Sequence, residues 1–119
     1  MSQAAPAPRR RLIVTVCPKE PGTAMLCVER GGPRRRLDAR AVFRELQALV
    51  ARHHLESVVR VREGCAGGCH GRGPNVSLTV HPLTAPGEKP DGIAIGWRTY
   101  VGSLGDVSAL RAIVDDNLV

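Results

Sequence analysis

Aromatic residues are scarce in this chain. Phe43, Trp97 and Tyr100 make up 3% of the 119 residues. A hydrophobic core must therefore be aliphatic, and an apolar content of 43% is sufficient for one domain. The scarcity argues against a platform on which the bases of single-stranded nucleic acid stack. No recognition-helix or zinc-finger spacing occurs either, so nucleic acid is not an expected partner.

Long apolar runs are also missing. No stretch approaches the roughly 20 apolar residues that cross a membrane. Arg9 to Arg11 precede the apolar run Leu12 to Val16, which resembles the start of an export signal but is far too short for one. We therefore expect a cytoplasmic protein without a membrane partner, in which thiols stay reduced.

The only cysteines are Cys17, Cys27, Cys65 and Cys69. No two of them form a C-x-x-C pair, which argues against thioredoxin-type redox chemistry. Reduced thiols in a chain without a signal favour metal ligation over structural disulfides. The cysteines are therefore the first candidates for a functional site.

Positive charge is in excess, with a formal net charge of +6. Much of the excess lies in two runs, Arg9 to Arg11 and Arg34 to Arg36. The charge is consistent with an acidic partner. It is equally consistent with a tail and a loop that are merely solvated, and the sequence leaves both interpretations open.

The hydrophobic pattern predicts one α/β domain over residues 11–119 after a disordered tail, 1–10. Its element order is β-α-β-β-β-α. Lys19–Leu26 and Arg30–Arg36 are predicted loops. The predicted strands are Leu12–Val16, buried on both faces, Ser57–Val61, Val76–Val80 and Ile93–Val101. The predicted helices run from the N-cap Asp38 to His53-His54 and onwards from Gly105-Asp106.

The first strand, helix and second strand form a right-handed βαβ crossover, whose two strands are parallel. The carboxyl ends of parallel strands meet at one edge of the sheet. Cys17 ends the first strand, and Cys65 follows the second closely. We therefore expect these two cysteines to converge at that edge, although 47 residues separate them in sequence.

Four thiols can hold one metal centre, and their spacing favours a [2Fe–2S] cluster over zinc. Cys65 and Cys69 enclose Gly67 and Gly68, which allow backbone to curl around an inorganic core. The three-residue spacing of this pair also suits structural zinc, but nine residues separate Cys17 from Cys27. A zinc-stabilised interaction module with a basic surface and a small thiol oxidoreductase remain alternatives.

The chain resembles the thioredoxin-like [2Fe–2S] ferredoxins over about residues 11–118. The family pattern is a strand ending in Cys, a loop to a second Cys, a helix, a strand, C-x-x-x-C, Gly-Pro and a Val-rich strand. The matching segments here are Val14–Cys17, Cys27, Cys65–Cys69 and Gly73–Val80, followed by Trp97–Val101 and the closing helix from Asp106. The chain departs from the pattern in one extra residue within His70–Arg72, a longer Pro82–Gly92 loop and a basic charge.

The resemblance implies a truncated thioredoxin-like sandwich, with a mixed four-stranded sheet and two helices, often assembled as a homodimer. It implies that Cys17 and Cys27 bind one iron and Cys65 and Cys69 the other. The activity would be one-electron transfer without a substrate-converting site, so the chain would not be an enzyme. Its partners would be a reductase and an acceptor enzyme, in a fold that also occurs in nitrogenase, hydrogenase, tetrapyrrole and cobalamin contexts.

The remaining polar residues are expected to serve the scaffold. His70 is expected to be solvated or to bond a sulfur rather than to replace a cysteine. His53-His54 should cap a helix, and His81 is likewise not a metal ligand. Trp97 is expected in the core or in a dimer contact. Lys19 and Arg72 lie near cysteines and could offset a negative cluster or dock an acidic partner.

Overall fold

The computed structural model describes residues 10–65, 74–83, 87, 93–100, 107 and 109–118. Residues 1–9 of the expected tail lie outside these ranges, and Arg10 is the first residue of a strand. In chain order the elements are β1 (Arg10–Val16), β2 (Thr23–Leu26), β3 (Arg35–Asp38), α1 (Ala39–Arg52), β4 (Val59–Glu63), β5 (Val76–Pro82), β6 (Gly96–Tyr100) and α2 (Leu110–Leu118).

Four strands form one mixed sheet in the order β4-β1-β5-β6. β1 and β4 are parallel, as expected for the ends of a βαβ crossover. β5 runs antiparallel to both β1 and β6, so the expected hairpin of the last two strands is also present. The prediction of a mixed α/β fold with a four-stranded sheet and two helices is confirmed.

The expected element order was wrong in one place, because β2 and β3 pair as a separate antiparallel hairpin. β2 lies entirely in the predicted loop Lys19–Leu26, and β3 begins in the predicted loop Arg30–Arg36. Each is only four residues long, and arginines hide the alternation in β3. Cross-strand pairing supplies what the local pattern lacks: Ala24 faces Leu37, and both are buried.

The core lies on one face of the sheet. Leu12, Val14 and Val16 of β1 are fully buried there, whereas Ile13 and Thr15 on the other face are only partly buried. The expectation that β1 is buried on both faces was therefore wrong. Both helices contribute to the same core cluster, so the opposite face, which we call the outer face, has no helix from the described part of the chain. Its residues are Arg11, Ile13, Thr15, Arg60, Arg62, Ser77, Thr79, His81, Trp97 and Thr99.

Helix α1 follows its sequence signals closely. The Asp38 carboxylate accepts a hydrogen bond from the Ala41 amide at 2.8 Å, which confirms the predicted N-cap. The apolar stripe Val42, Leu46, Leu49 and Val50 is buried. The helix ends at the C-cap His53, and His54 has a positive φ of 54°. This helix therefore begins and ends where the sequence predicts.

The later elements are shifted by a few residues from their predicted bounds. β4 spans Val59–Glu63 rather than Ser57–Val61. α2 buries Leu110, Ile113, Val114 and Leu118, while Gly105-Asp106, where this helix was predicted to begin, lies outside the described residues. Neither described helix, of 14 and nine residues, is long and apolar enough to cross a membrane.

Candidate metal centre

The backbone brings Cys17 and Cys65 to one edge of the sheet. The parallel pairing of β1 with β4 ends at Val16 and Glu63. One residue further, the Gly64 amide donates a hydrogen bond to the Val16 carbonyl at 3.1 Å. Cys17 directly follows Val16, and Cys65 directly follows Gly64. The expected convergence of these two cysteines at the carboxyl edge of β1 and β4 is therefore present in the backbone.

Cys27 is held by the start of α2. It directly follows β2, its carbonyl accepts a hydrogen bond from the Leu110 amide at 3.0 Å, and it forms a parallel bridge with Ala109. Its neighbour Val28 accepts from the Arg111 amide at 3.0 Å. These bonds fix Cys27 at the amino end of α2.

The two ends of α2 lie at different places relative to the strands of the sheet. Asn117, near the carboxyl end of α2, lines a shallow depression together with Arg10 and Gly96, which lie at the amino ends of β1 and β6. The amino end of the helix therefore points towards the opposite edge, where Cys17 and Cys65 lie. Cys27 is therefore held at the end of α2 that lies away from Arg10 and Gly96.

The three described cysteines differ in exposure. Cys17 is 8% exposed and Cys27 is 7% exposed, whereas Cys65 is exposed. Cys69, His70 and Arg72 lie outside the described residues. Within the described ranges, no group of three or more His, Cys, Asp or Glu side chains is placed so that it could hold a metal ion.

A buried carboxylate links two segments that are distant in sequence. Glu20, in the loop after Cys17, is only 7% exposed. Its Oε1 accepts a hydrogen bond from the Asn75 amide at 3.2 Å, and its Oε2 accepts a second one from Asn75 Nδ2. Asn75 stands six residues after Cys69 and begins the return into β5. The Glu20–Asn75 contact therefore joins the segment after Cys17 to the segment that leads into β5.

The donor chemistry at this end of the molecule is compatible with an iron–sulfur cluster. Thiolates are the ligands of such clusters, and they also bind zinc. Both Glu20 oxygens are engaged by Asn75, so that carboxylate is committed to the scaffold. Cys17, Cys27 and Cys65 would supply sulfur from three separate segments, and Cys69, which lies outside the described residues, is the fourth predicted ligand.

His53 and His81 each contact another side chain of the fold. His53 Nε2 lies 2.9 Å from Glu29 Oε2, and Arg52 donates to the same carboxylate at 3.1 Å. The His53 hydrogen bond is the largest cause that lowers the pKa of Glu29; partial burial opposes it, and Arg52 lowers the pKa further. His81 is 7% exposed, and its Nε2 lies 3.3 Å from Thr79 Oγ1.

Lys19 and Trp97 are both exposed. Lys19 is exposed, close to Cys17 in sequence. Trp97 is 77% exposed on the outer face, so the expectation that it belongs to the core was wrong. Its partner residue on β5 is Thr79. The alternative, a contact between subunits, stays a prediction.

Sequence reasoning missed two carboxylates that organise this half of the molecule. Glu20 stands alone before Pro21 in a predicted loop, with no pattern that marks burial. Glu29 similarly gave no signal, yet it receives Arg52 and His53 from α1 and lies 3.9 Å from Arg111 of α2. Their roles follow from partners that are distant in sequence.

No protein-family model, curated protein or solved structure matches this chain. The resemblance to thioredoxin-like ferredoxins therefore depends on the cysteine frame and on the segments quoted above. The structure itself shows the coarser feature, a mixed α/β arrangement with helices on one face of a four-stranded sheet.

Proposed function

We propose that this protein is a cytoplasmic ferredoxin that binds a [2Fe–2S] cluster through Cys17, Cys27, Cys65 and Cys69. The observation that carries the proposal is the hydrogen bond from Gly64 to Val16, which brings two distant cysteines to one sheet edge. When bound, the cluster would accept and release one electron. The chain would then be an electron carrier and not an enzyme, and we propose a thioredoxin-like sandwich as its fold.

The residues of the chain would hold and shield the site. The burial of Cys17 and Cys27 keeps water from one pair of thiols, whereas the exposure of Cys65 leaves the other side accessible to a partner. The Glu20–Asn75 contact would fix the spacing between the two cysteine-bearing loops. Gly67 and Gly68 would allow the second loop to follow the cluster surface.

We also propose that the protein is a homodimer formed through the outer face. Trp97 is 77% exposed there, and Ile95 and Ile93, which precede it along the same chain, are 58% and 66% exposed. Exposed apolar side chains in one region of a small protein mark an interaction surface. A second copy would bury these side chains, while a reductase and an acceptor enzyme would be the redox partners.

Metal and sulfide analysis of protein purified without oxygen tests the function. We expect about two iron and two acid-labile sulfide per chain, with a red-brown colour that dithionite bleaches. A colourless protein with one zinc per chain would instead indicate a zinc-stabilised interaction module. Metal-free protein that reduces insulin disulfides would indicate a thiol oxidoreductase. Either result would overturn the ferredoxin proposal.

A further inference from the structure

The hairpin of β2 and β3 presents a small basic surface, which we call the arginine patch. It consists of Met25, Arg34 and Arg36. Met25 is 45% exposed, and Arg36 is its register partner across the hairpin. Arg34 Nη2 donates to the Met25 carbonyl at 3.2 Å, and Arg36 Nη1 donates to Thr23 Oγ1 at 3.0 Å. Two cationic groups therefore border one exposed apolar side chain.

The two patch arginines belong to the described arginines that form no ion pair, a set that also includes Arg10, Arg11, Arg40, Arg44, Arg60, Arg62 and Arg98. Arg30, Arg35, Arg52 and Arg111 each lie within 4.0 Å of a carboxylate oxygen. Among the described residues, Arg34 and Arg36 have no such ion pair, and both are exposed. The strands of the hairpin contain one carboxylate, Asp38, which caps α1. The charge of the patch is therefore not neutralised by a carboxylate of the described chain.

The patch also lies close to the candidate metal centre. Met25 precedes Cys27 by two residues, which corresponds to about 7 Å along an extended strand. Cys27 is buried, and it directly follows β2 of the hairpin. Transient redox encounters use small interfaces, below about 1,200 Å². An apolar centre bordered by charge is suited to such an encounter.

We propose that the arginine patch docks the acidic surface of a redox partner protein. This inference rests on the proposed ferredoxin function. Opposite charges on the two proteins would accelerate encounter and orient the partner over Cys27. A protein partner fits better than nucleic acid, because the patch offers a methionine and no aromatic ring on which bases could stack.

Charge reversal with a matched control tests the docking surface. R34E/R36E reverses the patch, and R40E/R44E makes the same charge change on exposed residues of α1. The probe is a fluorescein-labelled 12-residue peptide of Glu, Asp and Leu, followed by anisotropy at an ionic strength of about 0.05 M and about 0.3 M. We expect R34E/R36E to weaken binding about tenfold and the control less than about twofold, with both effects reduced by salt.

Equal weakening by the two variants would overturn the patch as a specific surface. Tighter binding of an oligo-dT 20-mer than of the peptide, lost in R34E/R36E, would assign the patch to nucleic acid instead. R34Q/R36Q removes charge without reversing it, so it keeps the test usable if R34E/R36E unfolds. Circular dichroism melting identifies that case.

A second measurement concerns electron transfer. Hexacyanoferrate(III) takes one electron from the dithionite-reduced holoprotein and becomes hexacyanoferrate(II), without proton transfer. Stopped-flow rates should fall more in R34E/R36E than in R40E/R44E. With cationic hexaammineruthenium(III) the rates should instead rise, and they should rise more in R34E/R36E than in R40E/R44E. Equal rates in a red-brown protein would overturn this inference alone. A colourless protein would overturn the ferredoxin function and the redox nature of the partner, while the peptide result would still decide docking.

Discussion

The Gly64 amide and the Val16 carbonyl, joined at 3.1 Å, continue the parallel β1–β4 ladder one residue beyond its last strand pair. The hydrogen bond thereby fixes the positions from which Cys17 and Cys65 emerge. Thr15 lies close on the same side, since a Cβ added at Gly64 would come within 3.2 Å of its Cγ2. A side chain at residue 64 would therefore require the Thr15 methyl group to shift by a few tenths of an ångström.

Replacing single cysteines tests the four-thiol site. We expect Cys17→Ala, Cys27→Ala, Cys65→Ala and Cys69→Ala each to abolish the visible absorption of anaerobically purified protein, because each removes one ligand. His70→Ala is the control and should retain the absorption. Retained absorption in any single cysteine variant, or its loss in His70→Ala, would contradict the assigned ligand set.

Removing the Glu20 carboxylate should destabilise the chain even without metal. Glu20→Ala leaves the amide and Nδ2 donors of Asn75 without their acceptor, which costs about 1–3 kcal/mol in the free energy of unfolding. Glu20→Gln should cost less, since the introduced amide oxygen still accepts one hydrogen bond. Urea unfolding of the apoprotein measures both.

The exposed Glu56 provides a matched control for Glu20. Glu56→Ala should change the free energy of unfolding by no more than about 0.5 kcal/mol. Equal stability of Glu20→Ala and Glu56→Ala would show that the buried contact with Asn75 contributes nothing to folding. Faster loss of visible absorption in air from Glu20→Gln holoprotein would extend the contact's role to the metal site.

The Glu29 contact with His53 and Arg52 should make stability depend on acid pH. The folded-state pKa of Glu29 lies below the ordinary value of 4.5, with the His53 hydrogen bond as the largest cause. Its stabilisation is therefore complete above that value and is lost as pH falls through the folded-state pKa. Because the group is partly exposed, we expect the contribution to be about 1 kcal/mol or less.

Unfolding free energies of the wild type and Glu29→Gln, measured from about pH 6 down to about pH 3, test this dependence. The difference between the two proteins should be constant at the upper end and should shrink as pH falls below 4.5, the ordinary pKa of the carboxyl. A difference that grows on acidification would refute the assigned direction. Glu56→Gln should follow the wild type throughout.

Replacing Trp97 should weaken dimerisation without changing the stability of the monomer. Its side chain is 77% exposed, so Trp97→Ser should change the free energy of unfolding of the monomer by no more than about 0.5 kcal/mol. If the outer face joins two copies, the same variant should shift sedimentation equilibrium from dimer to monomer. Met25→Ser, on the hairpin, is the control and should remain dimeric. A monomeric wild type would contradict the proposed assembly.

Much of the fold follows from local sequence patterns. The helix from Asp38 to His53 has a side-chain cap, a 3.6-residue apolar stripe and a clear end, each of which acts within a few residues. In β5, Val76, Leu78 and Val80 alternate with polar residues, so the sequence alone predicts which face of the strand is buried. The parallel crossover follows from handedness, which predicted the shared edge of Cys17 and Cys65.

Only the tertiary structure decided the features that depend on distant partners. The β2–β3 hairpin is too short and too rich in arginine to be predicted locally, and pairing across Ala24 and Leu37 stabilises it. Glu20 is buried because Asn75, 55 residues later, supplies two donors. Trp97 is exposed because both helices pack on the opposite face. Local patterns thus determined most of the strands and helices and the placement of Cys17 and Cys65 at one sheet edge. Pairing between distant residues decided that Glu20 is buried and that the outer face of the sheet is exposed.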